Sequence, residues 1–100
     1  MRIISEARIR EAKGKWPHAA NALEKWRELI KKSHFKDFAA LKQANPALDL
    51  FKGKNIDLHI FDIGGNKTRI IAKVDFECQL LFIKHVLDHK EYDAGNWKKT

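Results

Sequence analysis

The sequence predicts an α+β domain in which N-terminal helices pack against one side of a small, mostly antiparallel β-sheet. Three observations carry this prediction. Before Pro46, apolar residues recur at spacings of three and four, the period of a helix with one buried face. After Leu48 they alternate with polar residues, as in a strand covered on one side. Between two such runs stand Gly64, Gly65 and Asn66, a turn sequence typical of a β-hairpin.

The first residues predict a short strand and then a helix. Arg2–Ile4 is an apolar segment short enough for an edge strand. Ser5 is a residue type that caps helix N-termini, so we expect a helix to begin there. This helix would turn Ile9 and Ala12 inward and end at Gly14.

The second helix has the clearest pattern. Pro17 suits its first turn, because proline fixes a helical φ and lacks an N–H that would need a partner there. Trp26 lies on the apolar face of this helix and, like Trp16, is interpreted as a packing residue. The apolar face comprises Ala19, Leu23, Trp26 and Ile30.

A third, shorter helix is predicted from Phe35, Phe38 and Leu41. Asn45 and Pro46 end it, because the residue before a proline is pushed out of the α region. Three helices therefore precede the sheet.

The second half of the chain predicts strands. Ile56–Ile60 alternates as a strand, and Thr68–Asp75 is the second arm of the hairpin. Leu80–Val86 is apolar enough for a central strand that is buried on both sides. The segment Asp88–Asp93 reads as a brief helical turn, and Trp97–Thr100 as a tail with two lysines.

Length and charge limit the classes of function. The 100 residues suit a single domain over 1–100 that buries a core without disulfides. Lysine and arginine outnumber aspartate and glutamate by 20 to 13, so the net charge of +7 favours polyanionic partners. No apolar run reaches the roughly 20 residues that span a membrane, and no signal peptide is evident. We therefore expect a soluble, intracellular protein in which the single cysteine, Cys78, is incidental.

Two segments carry a resemblance to a known family. Phe61–Ile71 reads FDIGGNKTRII, a strand that enters a GGN turn and continues as a basic strand with an arginine. After one further strand, His89–Asp93 reads HKEYD. In this order the motifs resemble the HigB toxin family, a branch of the RelE-like fold, and the likeness extends over nearly the whole chain. Asp88 stands where that family usually has threonine.

The resemblance implies a toxin of a type II toxin–antitoxin system. Such toxins are endoribonucleases that cut mRNA, commonly while it is translated in the ribosomal A site. The family also implies a HigA-like antitoxin with a helix-turn-helix domain, through which alone operator DNA would be contacted. We therefore expect a cytoplasmic enzyme whose partners are mRNA, the ribosome and this antitoxin.

The chemistry of RNA cleavage suggests which side chains act. Without a metal or other cofactor, the ribose 2′-hydroxyl attacks the adjacent phosphorus, so the site needs a base, a cation and an acid. Lys67 and Arg69 are two residues apart, and we expect the strand pleat to place both on one face, opposite Thr68 and Ile70. Arg69 offers paired hydrogen bonds to phosphate oxygens, and Lys67 offers a mobile charge. The alternative is a solvated strand face.

His89 is the candidate for proton transfer, because imidazole titrates near neutral pH. Tyr92 follows three residues later and shares its face if the segment is helical, where it could donate a proton or stack on a base. The sequence leaves open which of His89, Tyr92 or a lysine is the general base. Glu91 and Asp93 are interpreted as solvated ion-pair partners outside the catalytic group.

Further polar and aromatic residues are candidates for RNA contact. Trp97, in the basic tail, is the one tryptophan left as a surface on which a base could stack. A metal site is not expected, because His85 and His89 are four residues apart but no HExxH motif or cysteine pair accompanies them. The RNA-binding candidates are Asn66, Lys36, Lys54, Lys90, Trp97 and Lys98.

Two other classes of function compete with a ribonuclease. The same cations could hold phosphates without chemistry, in an RNA- or ribosome-binding module that inhibits translation. A pure protein-interaction domain is the third possibility, in which these residues serve a protein partner.

Overall fold

The chain folds into a five-stranded sheet with helices on both faces. The computed structural model describes residues 1–65 and 67–99. Its strands are β1 (Arg2–Ile4), β2 (Asp49–Lys52), β3 (Asp57–Ile63), β4 (Thr68–Asp75) and β5 (Leu80–Asp88). Its α-helices are α1 (Ala7–Lys15), α2 (Ala20–Lys32), α3 (Phe38–Ala44) and α4 (His89–Ala94). One 3₁₀ turn, Pro17–Ala19, leads into α2, and another, Asn96–Lys99, is named here the C-terminal turn.

The sheet is mostly antiparallel, as predicted. Its spatial order is β1-β5-β4-β3-β2, and only the described pair of β1 with β5 is parallel. β5 therefore lies inside the sheet, and β1 lies at an edge. In the register of β4 with its neighbours, Asp62 stands opposite Arg69, and Thr68 stands opposite Asp88.

Each face of the sheet has its own apolar cluster. The N-terminal helices bury the larger one, in which Leu23, Trp26 and Ile30 of α2 pack with sheet residues such as Phe61 and Ile70. This confirms the predicted inward face of the second helix. On the other face Leu58, Ile60, Ile71 and Trp97 form a smaller cluster, against which Phe51, Ile56, Leu87 and Tyr92 pack. This second layer is built by α4 and the C-terminal turn.

The ends of α1 differ from the prediction. Ser5 is not the N-cap; it has φ of 73°, and Glu6 occupies the cap position without a side-chain hydrogen bond. The left-handed conformation of Ser5 turns the chain from β1 into the helix, and its carbonyl accepts the N–H of Arg8. Gly14 does not end the helix, which continues to Lys15 because a single glycine near a terminus is tolerated.

Two further elements depart from the sequence pattern. Phe35 is buried but precedes α3, which begins at Phe38 because the Asp37 side chain accepts the N–H of Ala40. β2 was not predicted, since its four residues show no apolar alternation and are mostly exposed. Pairing with β3 stabilises the extended conformation of these residues. No described helix has the length and apolarity required to cross a membrane.

Candidate active site

Two segments that are distant in sequence meet at one end of the sheet. Because Thr68 pairs with Asp88, the helix that follows β5 begins beside the start of β4. Arg69 projects from β4 toward this helix, and its Cζ lies 4.5 Å from the centroid of the Tyr92 ring. A guanidinium at that distance from an aromatic ring makes a cation–π contact. Arg69, His89 and Tyr92 are therefore gathered at one end of the sheet.

Helix α4 is short, and its first residues are fixed by reciprocal hydrogen bonds. The Asp88 carboxylate accepts the N–H of Glu91 at 2.7 Å, and the Glu91 carboxylate accepts the N–H of Asp88 at 3.3 Å. This capping box satisfies two N–H groups that a helix start otherwise leaves without partners. Gly95, with φ of 78°, ends the helix in the left-handed conformation. The predicted helical turn is thus confirmed, and Asp88 caps it.

His89 is exposed to solvent and held by a carboxylate. Its side chain retains 57% of its exposure, and Nδ1 lies 2.8 Å from Oδ2 of Asp93, one helical turn later. An acceptor at Nδ1 selects the tautomer with the proton on that nitrogen and leaves Nε2 directed elsewhere. The pair therefore presents one imidazole nitrogen for proton transfer.

The ring of Tyr92 is packed between protein groups. It stacks on Trp97 with centroids 5.2 Å apart and an interplanar angle of 10°, in addition to its contact with Arg69. Trp97 Nε1 also donates a hydrogen bond of 2.9 Å to the Tyr92 carbonyl. Among residues 1–65 and 67–99, none hydrogen-bonds to the Tyr92 hydroxyl. Described residues thus engage the ring of Tyr92 on both sides.

Trp97 does not offer a stacking surface, contrary to expectation. Only 4% of it is exposed, and its ring meets that of Phe51 edge-on at 5.1 Å. The tail folds back as a turn, because burying a large aromatic ring outweighs the cost of ordering a few terminal residues. Trp97 is therefore a packing residue.

Lys67 and Arg69 do not share a face, which corrects the predicted cationic ledge. β4 begins only at Thr68, so the alternation of the strand does not extend back to Lys67. The Lys67 ammonium instead donates a hydrogen bond of 3.2 Å to the His18 carbonyl, at the start of the helical layer. The other half of the prediction is confirmed, because Thr68 and Ile70 are buried while Arg69 faces α4.

A known protein family matches most of the chain. Residues 19–95 match the model of a family described as HigB toxin, the RelE-like toxic component of a toxin–antitoxin system. The chain belongs to the HigB toxin family. The matched range contains β4, β5 and all of α4, and it ends before Trp97.

Individual relatives agree with the family. The chain is 39% identical over 93 residues to the mRNA interferase HigB of Escherichia coli O6:H1 strain CFT073, covering 93% of this chain and 89% of that protein. It is 38% identical over 94 residues to the mRNA interferase toxin HigB of Escherichia coli K12, covering 93% and 88%. The same identity and coverage hold for the mRNA interferase HigB of Shigella flexneri.

Two of the predicted RNA contacts lie near Arg69, His89 and Tyr92. Lys90 is exposed on α4 beside His89. Lys98 Nζ lies 5.7 Å from the Trp97 ring and 5.9 Å from that of Phe51. Neither lysine forms an ion pair with a carboxylate in the described part of the chain, so their charges add to that of Arg69.

Two other candidates lie at the opposite end of the sheet. Lys54 is in the turn that joins β2 to β3, and Lys36 follows Phe35, which bonds to Gln79 in the turn from β4 to β5. The length of β3, about 20 Å at ~3.4 Å per residue, separates these turns from the site. Asn66 lies outside the described residues. The structure therefore does not bring Lys36 or Lys54 to Arg69.

Asp93 forms a solvated ion pair, as the sequence predicted, and its partner is His89. The sequence did not name this partner, although residues four apart on a helix are neighbours. Glu91, by contrast, serves the capping box and lies 3.9 Å from Lys15. Among the described residues, no three potential ligands are grouped as a metal site would require.

Two carboxylates of the helical layer are paired with cations of that layer. Glu6 accepts hydrogen bonds from Arg27 and Lys31, and the bond from Arg27 chiefly lowers its pKa. The pKa of Glu24 is lowered above all by the hydrogen bond from Lys13 and also by Arg27. Cations on α1 and α2 therefore neutralise Glu6 and Glu24, whereas Lys15 at the end of α1 lies 3.9 Å from Glu91 of α4.

Proposed function

We propose that this HigB-family toxin is an endoribonuclease that cleaves mRNA. The observation that carries the proposal is the contact of Arg69 with Tyr92 on the same short helix as His89. This contact brings a permanent cation, a hydroxyl and an imidazole into one exposed region. Metal-free RNA cleavage uses these three kinds of group. The relatives at 38–39% identity are named mRNA interferases.

The proposed reaction is transfer of the phosphate to the neighbouring ribose oxygen. The 2′-oxygen forms a bond to phosphorus as a base removes its proton, and the bond from phosphorus to the 5′-oxygen breaks as that oxygen gains a proton. The products are a 2′,3′-cyclic phosphate and a 5′-hydroxyl. No oxidant, reductant or water is consumed in this step.

Each side chain has a role in this proposal. Arg69 stabilises the negative charge that develops on the non-bridging oxygens, because its guanidinium is planar and always charged. His89 transfers a proton through Nε2, while Asp93 holds the ring by Nδ1. Tyr92 presents its hydroxyl to the reacting phosphate, since its ring is held by Arg69 and Trp97. Lys90 and Lys98 contact flanking phosphates.

The family supports a cellular setting for the proposal. We infer that the toxin acts in the cytoplasm on mRNA in the ribosomal A site. Ribosomal RNA surrounds this site, and its phosphates attract a positively charged domain. A helix-turn-helix antitoxin neutralises it, and operator DNA is contacted only through that antitoxin.

The test is cleavage of a defined mRNA in a reconstituted translation system. We expect discrete cuts within the translated frame, mapped by primer extension, with 2′,3′-cyclic phosphate ends. Arg69→Ala is expected to slow cleavage at least ~100-fold, the loss seen when one donor to a developing oxyanion is removed. Arg10→Ala removes an exposed arginine on α1 and is the matched control, for which we expect normal cleavage.

Three results would count against the proposal. Arrested translation with intact mRNA would select a binding module without chemistry. Full activity of Arg69→Ala would remove the phosphate role of Arg69. Equal losses in Arg69→Ala and Arg10→Ala would show that total charge, and not the site, is responsible.

A further measurement uses the same mRNA without ribosomes. Cleavage there would show that the nuclease does not depend on translation, contrary to the proposal.

A further inference from the structure

Trp97 is buried at a place where burial needs an explanation. It belongs to the C-terminal turn, beyond the residues 19–95 that match the family model, and yet only 4% of it is exposed. A large aromatic ring is buried this fully only where specific contacts hold it. The contacts of Trp97 therefore indicate what the C-terminal turn does.

Three contacts of Trp97 converge on Tyr92 and its support. The indole ring stacks on the Tyr92 ring at 5.2 Å and 10°. Its Nε1 donates to the Tyr92 carbonyl at 2.9 Å. On another side it meets Phe51 edge-on and joins a cluster with Leu58, Ile60 and Ile71 of the sheet. Trp97 thus connects Tyr92 to the sheet.

Helix α4 continues directly from β5 and meets the sheet through Tyr92, which packs against the smaller cluster. It contains six residues, none of them buried, and so short a helix is not stable by itself. Its capping box fixes the backbone at the N-terminus but does not restrain the ring of Tyr92. The ring is restrained by Arg69 of β4 and by the smaller cluster, within which Trp97 makes the stacking contact.

We propose that Trp97 is a positioning residue that holds the Tyr92 ring beside Arg69 and so directs the Tyr92 hydroxyl toward the reacting phosphate. This inference rests on the proposed ribonuclease activity for its catalytic consequence. Its geometric part does not depend on activity. A displacement of about 1 Å at a reacting group is enough to lower rates substantially.

The geometric part is tested by NMR of the one tyrosine in the chain. Tyrosine labelled on its ring gives a single set of ring signals, and a stacked indole shifts them upfield. We expect Trp97→Ala to move these signals close to their unstructured positions. Trp97→Phe keeps an aromatic ring but lacks the N–H, and we expect it to retain part of the shift.

The control is a second buried tryptophan. Trp26 is 5% exposed and meets Phe61 edge-on in the larger cluster, on the opposite face of the sheet from Tyr92. Trp26→Phe should leave the Tyr92 signals in place although it disturbs the larger core. Loss of the shift in Trp26→Phe, or its retention in Trp97→Ala, would overturn the positioning role.

The catalytic part is tested by a double-mutant cycle on single-turnover mRNA cleavage. We expect Trp97→Ala to slow cleavage about 10-fold in the wild-type background and less than ~2-fold in the Tyr92→Phe background, because coupled residues are not additive. Trp97→Phe should recover most of the rate. Equal losses in both backgrounds, or a Tyr92→Phe variant as active as the wild type, would overturn the inference.

The two experiments separate the two hypotheses. If the wild-type chain does not cleave mRNA while Trp97→Ala loses the upfield shift, the ribonuclease proposal fails and the contact between Trp97 and Tyr92 stands. If the wild type cleaves and the shift is unaffected by Trp97→Ala, the ribonuclease proposal stands and the positioning role fails.

Discussion

Asp93 gives His89 a defined orientation within an exposed helix. The 2.8 Å contact between Nδ1 and the carboxylate lies on the solvent side of α4, where both side chains keep more than half of their exposure. An ion pair this exposed adds little to stability. Its value is therefore geometric, because it fixes which nitrogen of the imidazole carries the proton.

We expect Asp93→Asn to lower the rate of mRNA cleavage about 10-fold or more, as loss of a histidine's hydrogen-bond partner does at other sites. The amide keeps the size of the side chain but can present its NH₂ group to Nδ1 and so favour the wrong tautomer. Single-turnover cleavage is the measurement.

Glu28→Gln is the matched control, because Glu28 is an exposed carboxylate on α2 that lies 4.0 Å from Lys32. It should cleave at the wild-type rate and unfold at the same temperature. A normal rate for Asp93→Asn would show that the carboxylate does not orient His89 during the reaction.

At the scale of elements, α4 depends on both of its ends. Asp88 is the last residue of β5 and at the same time the N-cap of α4, so the strand and the helix are joined without a loop. This junction is why His89 begins the helix beside β4. A change in the cap should therefore affect the site more than the remainder of the fold.

Asp88→Ala and Asp37→Ala test this difference. Both carboxylates accept a hydrogen bond from an N–H three residues later, Asp88 at α4 and Asp37 at α3. Each variant should lose about 1 kcal/mol in the free energy of unfolding. Only Asp88→Ala should also lose cleavage activity, because α3 does not carry the site. Equal activities in the two variants would contradict the proposed dependence of the site on the cap.

The elements that the sequence predicted well are those with an unambiguous period. The predicted second arm of the hairpin, Thr68–Asp75, coincides with β4, and the inward residues of α2 are as expected. β2 was missed because it is stabilised by β3 and not by its own pattern. Ser5 was misassigned because its residue type favours a cap, whereas the chain needed a left-handed residue there.

For the whole molecule, the buried histidine His59 links stability to pH. Burial lowers the pKa of His59, and Asp57 only partly opposes this shift. The ring is 5% exposed and lies between Phe38 and Phe76, whose ring centroids are 5.7 Å and 5.8 Å away. The folded chain therefore favours the neutral form of this imidazole.

The sign of the effect follows from proton binding. Below a pH of about 6.5, the ordinary pKa of histidine, the unfolded chain binds a proton at His59 that the folded chain does not. Stability therefore falls as pH decreases through this range. The pKa of His85 is also lowered, mainly by burial and then by Arg8 and Lys84, so it acts in the same direction.

We expect the free energy of unfolding to be lower at pH 5 than at pH 7.5, and the difference to be smaller in His59→Phe. Urea denaturation at both values is the measurement. His34→Ala, which removes an exposed histidine, should keep the wild-type difference. If His59→Phe also keeps the wild-type difference in unfolding free energy, His59 is not the source of the pH dependence of stability.

The sequence by itself determined the α+β architecture, the positive charge and the family of this toxin. These properties depend on local sequence features, namely the spacing of apolar residues, the glycine turn and short motifs. It also supplied Arg69, His89 and Tyr92 as candidates, because guanidinium, imidazole and phenol groups have intrinsic chemistry.

Only the tertiary structure decided which of these groups meet. The register of β4 with β5 places Arg69 beside α4, and the start of β4 at Thr68 leaves Lys67 on the side of the helical layer. Folding of the C-terminal turn onto the sheet made Trp97 a support for Tyr92. Contacts between residues distant in sequence depend on register and packing over the whole chain, and no local pattern encodes them.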